Sequence, residues 1–396
     1  MELINENELN NETLNVLYSD EPNWLKEHRT NSLSMFKELQ MPEFKYGLSI
    51  TLNPKNFNLN IDEFISSLKQ PIDIEIKNKE KIEVISFKEN YPKIKEYINR
   101  LVKYDEDKFT SFHNAFFNNG LFIRIPENTE VDLPLIINKK INQKYSFEYV
   151  VIVAEPFSKI KIIENADSEL KEIFRSKIVE VFIDEGAKIT YMDIQDFNDN
   201  AYSFNIKKAD VKRDSEIKWI DCVFGSHLTK AETISELNAE GANVQNFGVF
   251  FGNSNEQFDI FTSAIHNAPR TFSNMLIKGV LDNRSKAVYQ GLIHITKDAP
   301  FSNGYQKEDT LLLSENAEVD PIPKLLIDNN NVRCTHGATI GEIDKEKLFY
   351  LMSRGLSEKQ AKEEFVKGFF NPVIDQINEE NIQDNLKKII EEKLRL

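Results

Sequence analysis

Apolar and polar positions along the chain follow three rhythms. From Met1 to about Asn119 the apolar residues fall at helical spacing, as Trp24, Leu25, Leu33, Phe36 and Leu39 do. Met41-Pro42 should end that helix, because proline cannot continue one. A second helix is expected over Tyr91 to Tyr104, followed by an aromatic-rich run of Phe109, Phe112, His113, Phe116 and Phe117. From about Gly120 to Gly341 the period shortens to two, and Val, Ile, Phe and Tyr dominate, as in strands. Helical spacing then returns. Asp344 is placed to cap a helix that Gly355 ends in the left-handed conformation. Ser357 and Gln360 form a capping box for the next helix, expected to reach about Phe370, and Pro372 is expected to open a last charged helix.

The middle region also repeats. A short polar turn closed by a β-branched residue recurs at Glu127 to Val131, Pro156 to Ile160, Glu185 to Ile189, Arg213 to Ile217 and Glu240 to Val244. The β-branched residues lie 29, 29, 28 and 27 positions apart, and Glu315 to Val319 returns to the pattern later. A near-constant period marks one supersecondary unit stacked on copies of itself. Each unit holds two strands, for example Ile178 to Ile183 and Ile189 to Ile194, with no helix between them. The regularity predicts a mainly β fold with a parallel β-helix core rather than a sandwich, whose strands recur at about 8–12 residues and less evenly. Three regions follow: residues 1–119 mostly helical, 120–341 the β-helix core, and 342–396 helical, with the helical blocks expected to cap the solenoid ends.

Composition narrows the function. The 396 residues carry 49 Lys and Arg against 64 Asp and Glu, a net charge of −15, which argues against binding nucleic acid or anionic lipid. The acidic, unpatterned stretch Met1 to Glu12 does not resemble a signal peptide, and the longest clean apolar stretch, Tyr149 to Ala154, is one strand long. A soluble, cytoplasmic chain is expected. Two cysteines, Cys222 and Cys334, cannot form a disulfide framework. Nor can they alone supply the roughly four ligands of an iron–sulfur cluster or structural zinc.

Motifs for nucleotide hydrolysis, nucleophilic catalysis and zinc proteolysis are missing: there is no P-loop, Gly-x-Ser-x-Gly, His-Glu-x-x-His or Cys-x-x-Cys. The six histidines are scattered, and His294 is expected on a strand face beside the core. Cys222 sits between apolar neighbours and reads as a small buried hydrophobe. Cys334 and His336 differ. Two places apart in a strand, they share one face and offer half of a tetrahedral metal site.

That segment, Arg333-Cys-Thr-His-Gly-Ala-Thr-Ile-Gly341, followed by Leu348-Phe-Tyr-Leu-Met-Ser-Arg-Gly-Leu-Ser357, resembles the SufB/SufD family of iron–sulfur cluster assembly proteins, and its Cys-x-His-Gly-Ala-Thr form resembles the SufD branch. Supporting stretches are Tyr305 to Asp320, Asn114 to Pro126 and Glu21 to Trp24. The resemblance implies a right-handed parallel β-helix and a non-catalytic subunit working beside a SufB-like scaffold and a SufC-like ABC ATPase, with a homodimer possible in isolation. It implies that the ATPase docks on the C-terminal helical region, through Leu348, Phe349, Tyr350, Arg354, Gly355 and Leu356. It also implies that His336, with Cys334 beside it, contributes to iron or a transient iron–sulfur cluster shared with the partner; flavin binding is left open. Where the SufB scaffold carries its ligand cysteine, this chain has Glu308, in Lys307-Glu-Asp-Thr-Leu-Leu312. That departure points to the partner subunit. A SufB-like scaffold acting as a homodimer is one alternative, and a polysaccharide-binding or hydrolysing β-helix another.

Overall fold

A computed structural model describes residues 8–40, 45–46, 50–51 and 59–394. Its centre is a parallel β-solenoid of about eight turns. Two nine-stranded sheets run its length, and from Asn119–Ile125 onward each turn gives one strand to each sheet, so in this parallel part every ladder joins strand n to strand n + 2. The strands Ile173–Ile183 and Lys188–Asp196 form one such unit, one strand per sheet. The β-branched repeat positions stack in register: Ile160, Ile189, Ile217 and Val244 are consecutive rungs of one column, continued by Ser273, Gly304 and Cys334. Val319 belongs to the other sheet, where it pairs with Ala287. The Glu315 to Val319 turn is therefore a look-alike at the opposite corner rather than another copy of the same rung.

Alternation sends one side of each strand into the space between the sheets and the other side outward. Both outer faces are covered. On one, Phe147, Phe174 and Phe204 receive the helices Asn23–Glu38, Ile61–Lys69 and Lys108–Phe116 through Phe36, Phe64, Phe112 and Phe109. The Phe109 and Phe204 rings stack with centroids 4.2 Å apart. Every residue of Lys108–Phe116 is buried, which explains the density of aromatics there. On the other face Val366, Phe370, Val373, Leu386 and Ile390 pack over Ile163, Met192, Ile220, Cys222, Phe247 and Val249.

Three expectations change. Tyr91 to Tyr104 is not a helix: only Tyr91–Ile94 is helical. Beyond it Asn99 turns left-handed at φ +61°, its N–H donates to Tyr149 Oη, and the N–H groups of Leu101 and Val102 donate to the Glu180 carboxylate. Side-chain acceptors from the sheet replace the helical bonds. Pro372 lies inside the helix Glu358–Ile374 instead of opening the last one, which is Glu380–Lys393. It removes one hydrogen bond near the helix end, while burial of Phe370, Val373 and Ile374 on the sheet favours continuing the helix past it. Finally, the C-terminal helices do not cap the solenoid end; they lie along its flank. The N-terminal end is closed by antiparallel strands, Asp73–Lys77 on Leu135–Lys140 and Glu83–Ser86 on Asn119–Ile125. Met41-Pro42 lies outside the described residues.

Candidate functional site

The far end of the solenoid stays open. Its last strands, Glu318–Ile327 and Arg333–Glu342, each carry a partner on one side only among the described residues. Ile327 and Ile340 take up interior-facing positions there, yet they are 39% and 47% exposed, with no further turn over them among the described residues. Two parallel edges that carry apolar residues and have no ladder partner among the described residues can pair with another chain.

Cys334 and His336 stand on this edge. Their columns run through the interior side: Cys334 tops the column of Ile217, Val244, Ser273 and Gly304, and His336 tops that of Trp219, Asn246, Met275 and Gln306. Cys334 is half-buried against the core, and burial raises its thiol to about 11, so it is a neutral thiol at pH 7 unless a metal displaces the proton. The His336 side chain is exposed, and among the described residues its ring has no hydrogen-bond partner. One strand below, Glu308 is 2% exposed and in register with Ala338. Burial lifts its carboxyl to about 7, against the hydrogen bond that Thr310 donates to it. Among the described residues no three His, Cys, Asp or Glu groups come together as a metal site. Whatever this edge holds draws further ligands from elsewhere.

The other histidines and Cys222 are committed within the fold. His113 Nδ1 lies 2.8 Å from Ser176 Oγ, and His266 sits between Thr271 and Ser273 at 2.7 and 2.8 Å. His294 faces outward, half-buried, with Nε2 3.0 Å from Asp328 Oδ2. Cys222 lies beneath the C-terminal helices, where burial pushes its thiol well up.

The residues expected to receive an ATPase share a second surface. Asp344 accepts from Glu346 N–H and Lys347 N–H and starts the helix Lys345–Ser353, while Gly355, at φ +99°, ends it. None of that helix is buried. Phe349 is 72% and Tyr350 56% exposed; Arg354 reaches Tyr350 Oη at 2.8 Å; Leu348 and Leu356 are half-buried. Ser357 and Gln360 then form the expected capping box. An exposed, well-capped helix displaying two aromatics holds apolar surface that a monomer has no use for.

A feature not singled out from the sequence runs through the interior. Glu148, Glu164, Asp193 and Asp221 interleave with Lys139, Arg175, Lys177 and Lys207 in one continuous chain of ion pairs. Lys177 Nζ, for instance, lies 2.8 Å from Glu164 and 2.7 Å from Asp193. Burial alone would raise the Glu148 carboxyl, but Arg175 and Lys139 outweigh it and hold it down to about 2. Beside Asp221 and Lys207 lies a cavity of about 30 Å³, lined also by Asn205, Thr233 and Thr262, with room for a water or two at ~10–15 Å³ each. The signal was in the repeat: Glu164, Asp193 and Asp221 lie 29 and 28 residues apart, each four places after a repeat isoleucine.

Comparison with known proteins converges on one family. Residues 136–369, which take in most of the solenoid and the first C-terminal helices, match the family described as SUF system FeS cluster assembly, SufBD core domain. The chain is 28% identical to an iron–sulfur cluster assembly SufBD family protein of Staphylococcus saprophyticus over 89% of its own length and 86% of that protein. With a relative of the same description from Staphylococcus aureus the figures are again 28%, 89% and 86%. With one from Staphylococcus haemolyticus they are 30%, 72% and 63%. No helix among the described residues is long and apolar enough to cross a membrane. A parallel solenoid with an open last turn, a Cys-x-His pair on that edge and a family match spanning both place this chain in the SufBD family of iron–sulfur cluster assembly proteins.

Proposed function

We propose that this chain is a SufD-like, non-catalytic subunit of a cytoplasmic SUF assembly complex. In that complex it pairs edge to edge with a SufB-like scaffold and receives a SufC-like ATPase on its C-terminal helical region. The carrying observation is the last turn: His336 and Cys334 stand on an edge that has no ladder partner among the described residues, and the resemblance sets Glu308 where the scaffold has its ligand cysteine. A hard carboxylate suits ferrous iron better than sulfide-bridged iron, so a cluster here needs soft ligands from the facing chain. His336 is the ligand this subunit offers, and Cys334 stands beside it as a second, protonated thiol. Iron and cluster are cargo in this scheme. The chain's own work is to present the edge, close around the cargo and respond to the ATPase.

The ATPase surface is the helix Lys345–Ser353 with Arg354, Gly355 and Leu356. Because Val366, Phe370 and Ile390 cover the sheet, deleting residues 345–396 would strip a large apolar face and confound any binding assay. Point changes on the exposed helix avoid this. The test is co-expression with a SufB-like and a SufC-like chain followed by affinity capture. Both partners are expected to be retained, with Phe349→Asp losing the ATPase and keeping the scaffold. If the chain captured neither partner and instead formed only a homodimer through its last strands, the SufD-like reading would give way to a self-pairing scaffold.

A further inference from the structure

The C-terminal helices cover only part of their sheet. They pack over Ile163, Met192, Ile220 and Phe247, and the two columns of outward-facing residues beside those four are exposed or half-buried. One column climbs from Lys159 through Lys188, Glu216 and Phe272 to Arg333. The next climbs from Lys161 through Lys218 to Tyr305 and Thr335. Together they carry five cations and a single acid, Glu216, in a chain where acids outnumber bases by 64 to 49.

Two of the five cations are committed within the chain: Lys159 pairs with Glu130 at 2.6 Å and Lys161 with Glu379 at 2.7 Å. Lys188, Lys218 and Arg333 have no carboxylate partner among the described residues. The side-chain amides of Gln245, Asn274 and Asn303, on the same two columns, make no hydrogen bond there either. Phe272 and Tyr305 are 38% and 41% exposed, and a recess of about 410 Å³ opens between Phe301 and Arg333. The complement of such a strip offers carboxylates to the cations, apolar groups to the rings, and both donors and acceptors to the amides. A peptide supplies all three, whereas a phosphate backbone only accepts.

We propose that this strip is the docking surface for a short, extended, carboxylate-rich segment of a partner chain. From Lys188 to Arg333 there are five strand-to-strand steps, about 24 Å in all, which an extended segment of about seven residues spans. Carboxylates at one end of the segment meet Lys188 and Lys218, and those at the other end meet Arg333. Between them an apolar side chain lies against Phe272 and Tyr305. Arg333 immediately precedes Cys334 on the last strand, so a segment held here reaches the open edge while leaving the inward-facing Cys334 free. The surface goes beyond the SufD-like reading and does not rest on it.

The test is fluorescence anisotropy of the full chain with a labelled peptide of about eight residues, glutamates flanking a central phenylalanine. One-to-one binding is expected, weakening at least tenfold as salt rises from about 0.05 M to about 0.5 M, because exposed charges are screened. Arg333→Glu and Lys188→Glu should each lower the affinity at least fivefold. Arg284→Glu makes the same change in net charge on an exposed arginine in the turn after Phe272–Leu281, and it should alter the affinity less than twofold. All three side chains are exposed, so the variants should keep their melting temperatures; if Arg333→Glu disturbs the last strand, Lys188→Glu, within the sheet, decides. A peptide that does not bind at low salt, or strip variants that bind it as tightly as Arg284→Glu does, overturns the proposal. So does a thymidine oligonucleotide of the same length that binds more tightly than the peptide. None of these results bears on capture of the scaffold or the ATPase, so the strip and the SufD-like assignment fail independently.

Discussion

At the scale of single residues, the interior ion chain sets the strongest expectations. Replacing Lys177 with Met would leave Glu164 and Asp193 short of a cation in a space where both are almost fully buried. Breaking a buried pair from one side costs about 3–5 kcal/mol, and urea unfolding of Lys177→Met should show a loss of that order. Glu180 behaves differently. It accepts the Leu101 and Val102 N–H groups, but burial dominates and lifts its carboxyl to about 7. A carboxyl raised above its unfolded value stabilises the fold most at low pH, and that stability is lost as pH rises through about 7. Glu256 and Glu308 are raised by burial in the same way, so the informative quantity is the difference between Glu180→Gln and the unmodified chain. Relative to the unmodified chain, the variant should gain about 2–4 kcal/mol between pH 5 and pH 8, at 1.36 kcal/mol per pKa unit. An unchanged difference across that range would assign Glu180 no titrating role. That Cys334 and His336 share one strand face was legible in the sequence, because a spacing of two in a strand is itself a statement about geometry. The interior carboxylates were not, because with 64 acidic residues only the repeat register separates a buried one from a solvated one.

At the scale of elements, two neighbouring helices with similar apolar content do opposite things. Lys345–Ser353 buries nothing, whereas Glu358–Ile374 buries Ala361, Val366, Phe370, Val373 and Ile374. Phe349→Asp should therefore leave the melting temperature within about 1 °C while abolishing ATPase capture, since surface changes usually stay within about 0.5 kcal/mol. Phe370→Ala should cost about 3–5 kcal/mol in urea unfolding through the cavity it opens over the sheet. Equal destabilisation by both would mean that the exposed helix packs on the fold. The caps of these helices were readable because Asp344, Gly355, Ser357 and Gln360 act locally. What could not be read was which surface each helix serves. Pro372 misled for the same reason: its local preference for a helix start was overridden by the docking of Phe370, Val373 and Ile374 on a sheet whose strands lie far earlier in the chain. The 91–104 segment is the converse, a helical pattern whose backbone groups are taken by Tyr149 and Glu180.

At the scale of the whole molecule, the two ends of the solenoid are treated differently. The N-terminal end is sealed by antiparallel strands, while the last strands have no outer ladder partner among the described residues and leave Ile327 and Ile340 exposed. The period of 27–29 residues announced the solenoid, because the rungs Ile160, Ile189, Ile217 and Val244 place β-branched residues at the same height. It could not announce the open end, since the C-terminal helices that were expected to close it lie on the flank instead. That asymmetry supports the central proposal, that this chain offers part of a metal site which is completed only against a partner. The most direct measurement is anaerobic reconstitution with iron and sulfide, comparing the chain alone with its co-purified complex with a SufB-like chain and a SufC-like ATPase. The account predicts no stable cluster on the isolated chain, a cluster on the complex, and a several-fold lower yield when the complex carries His336→Ala. A stoichiometric cluster on the isolated chain, or an undiminished yield with His336→Ala, would contradict it.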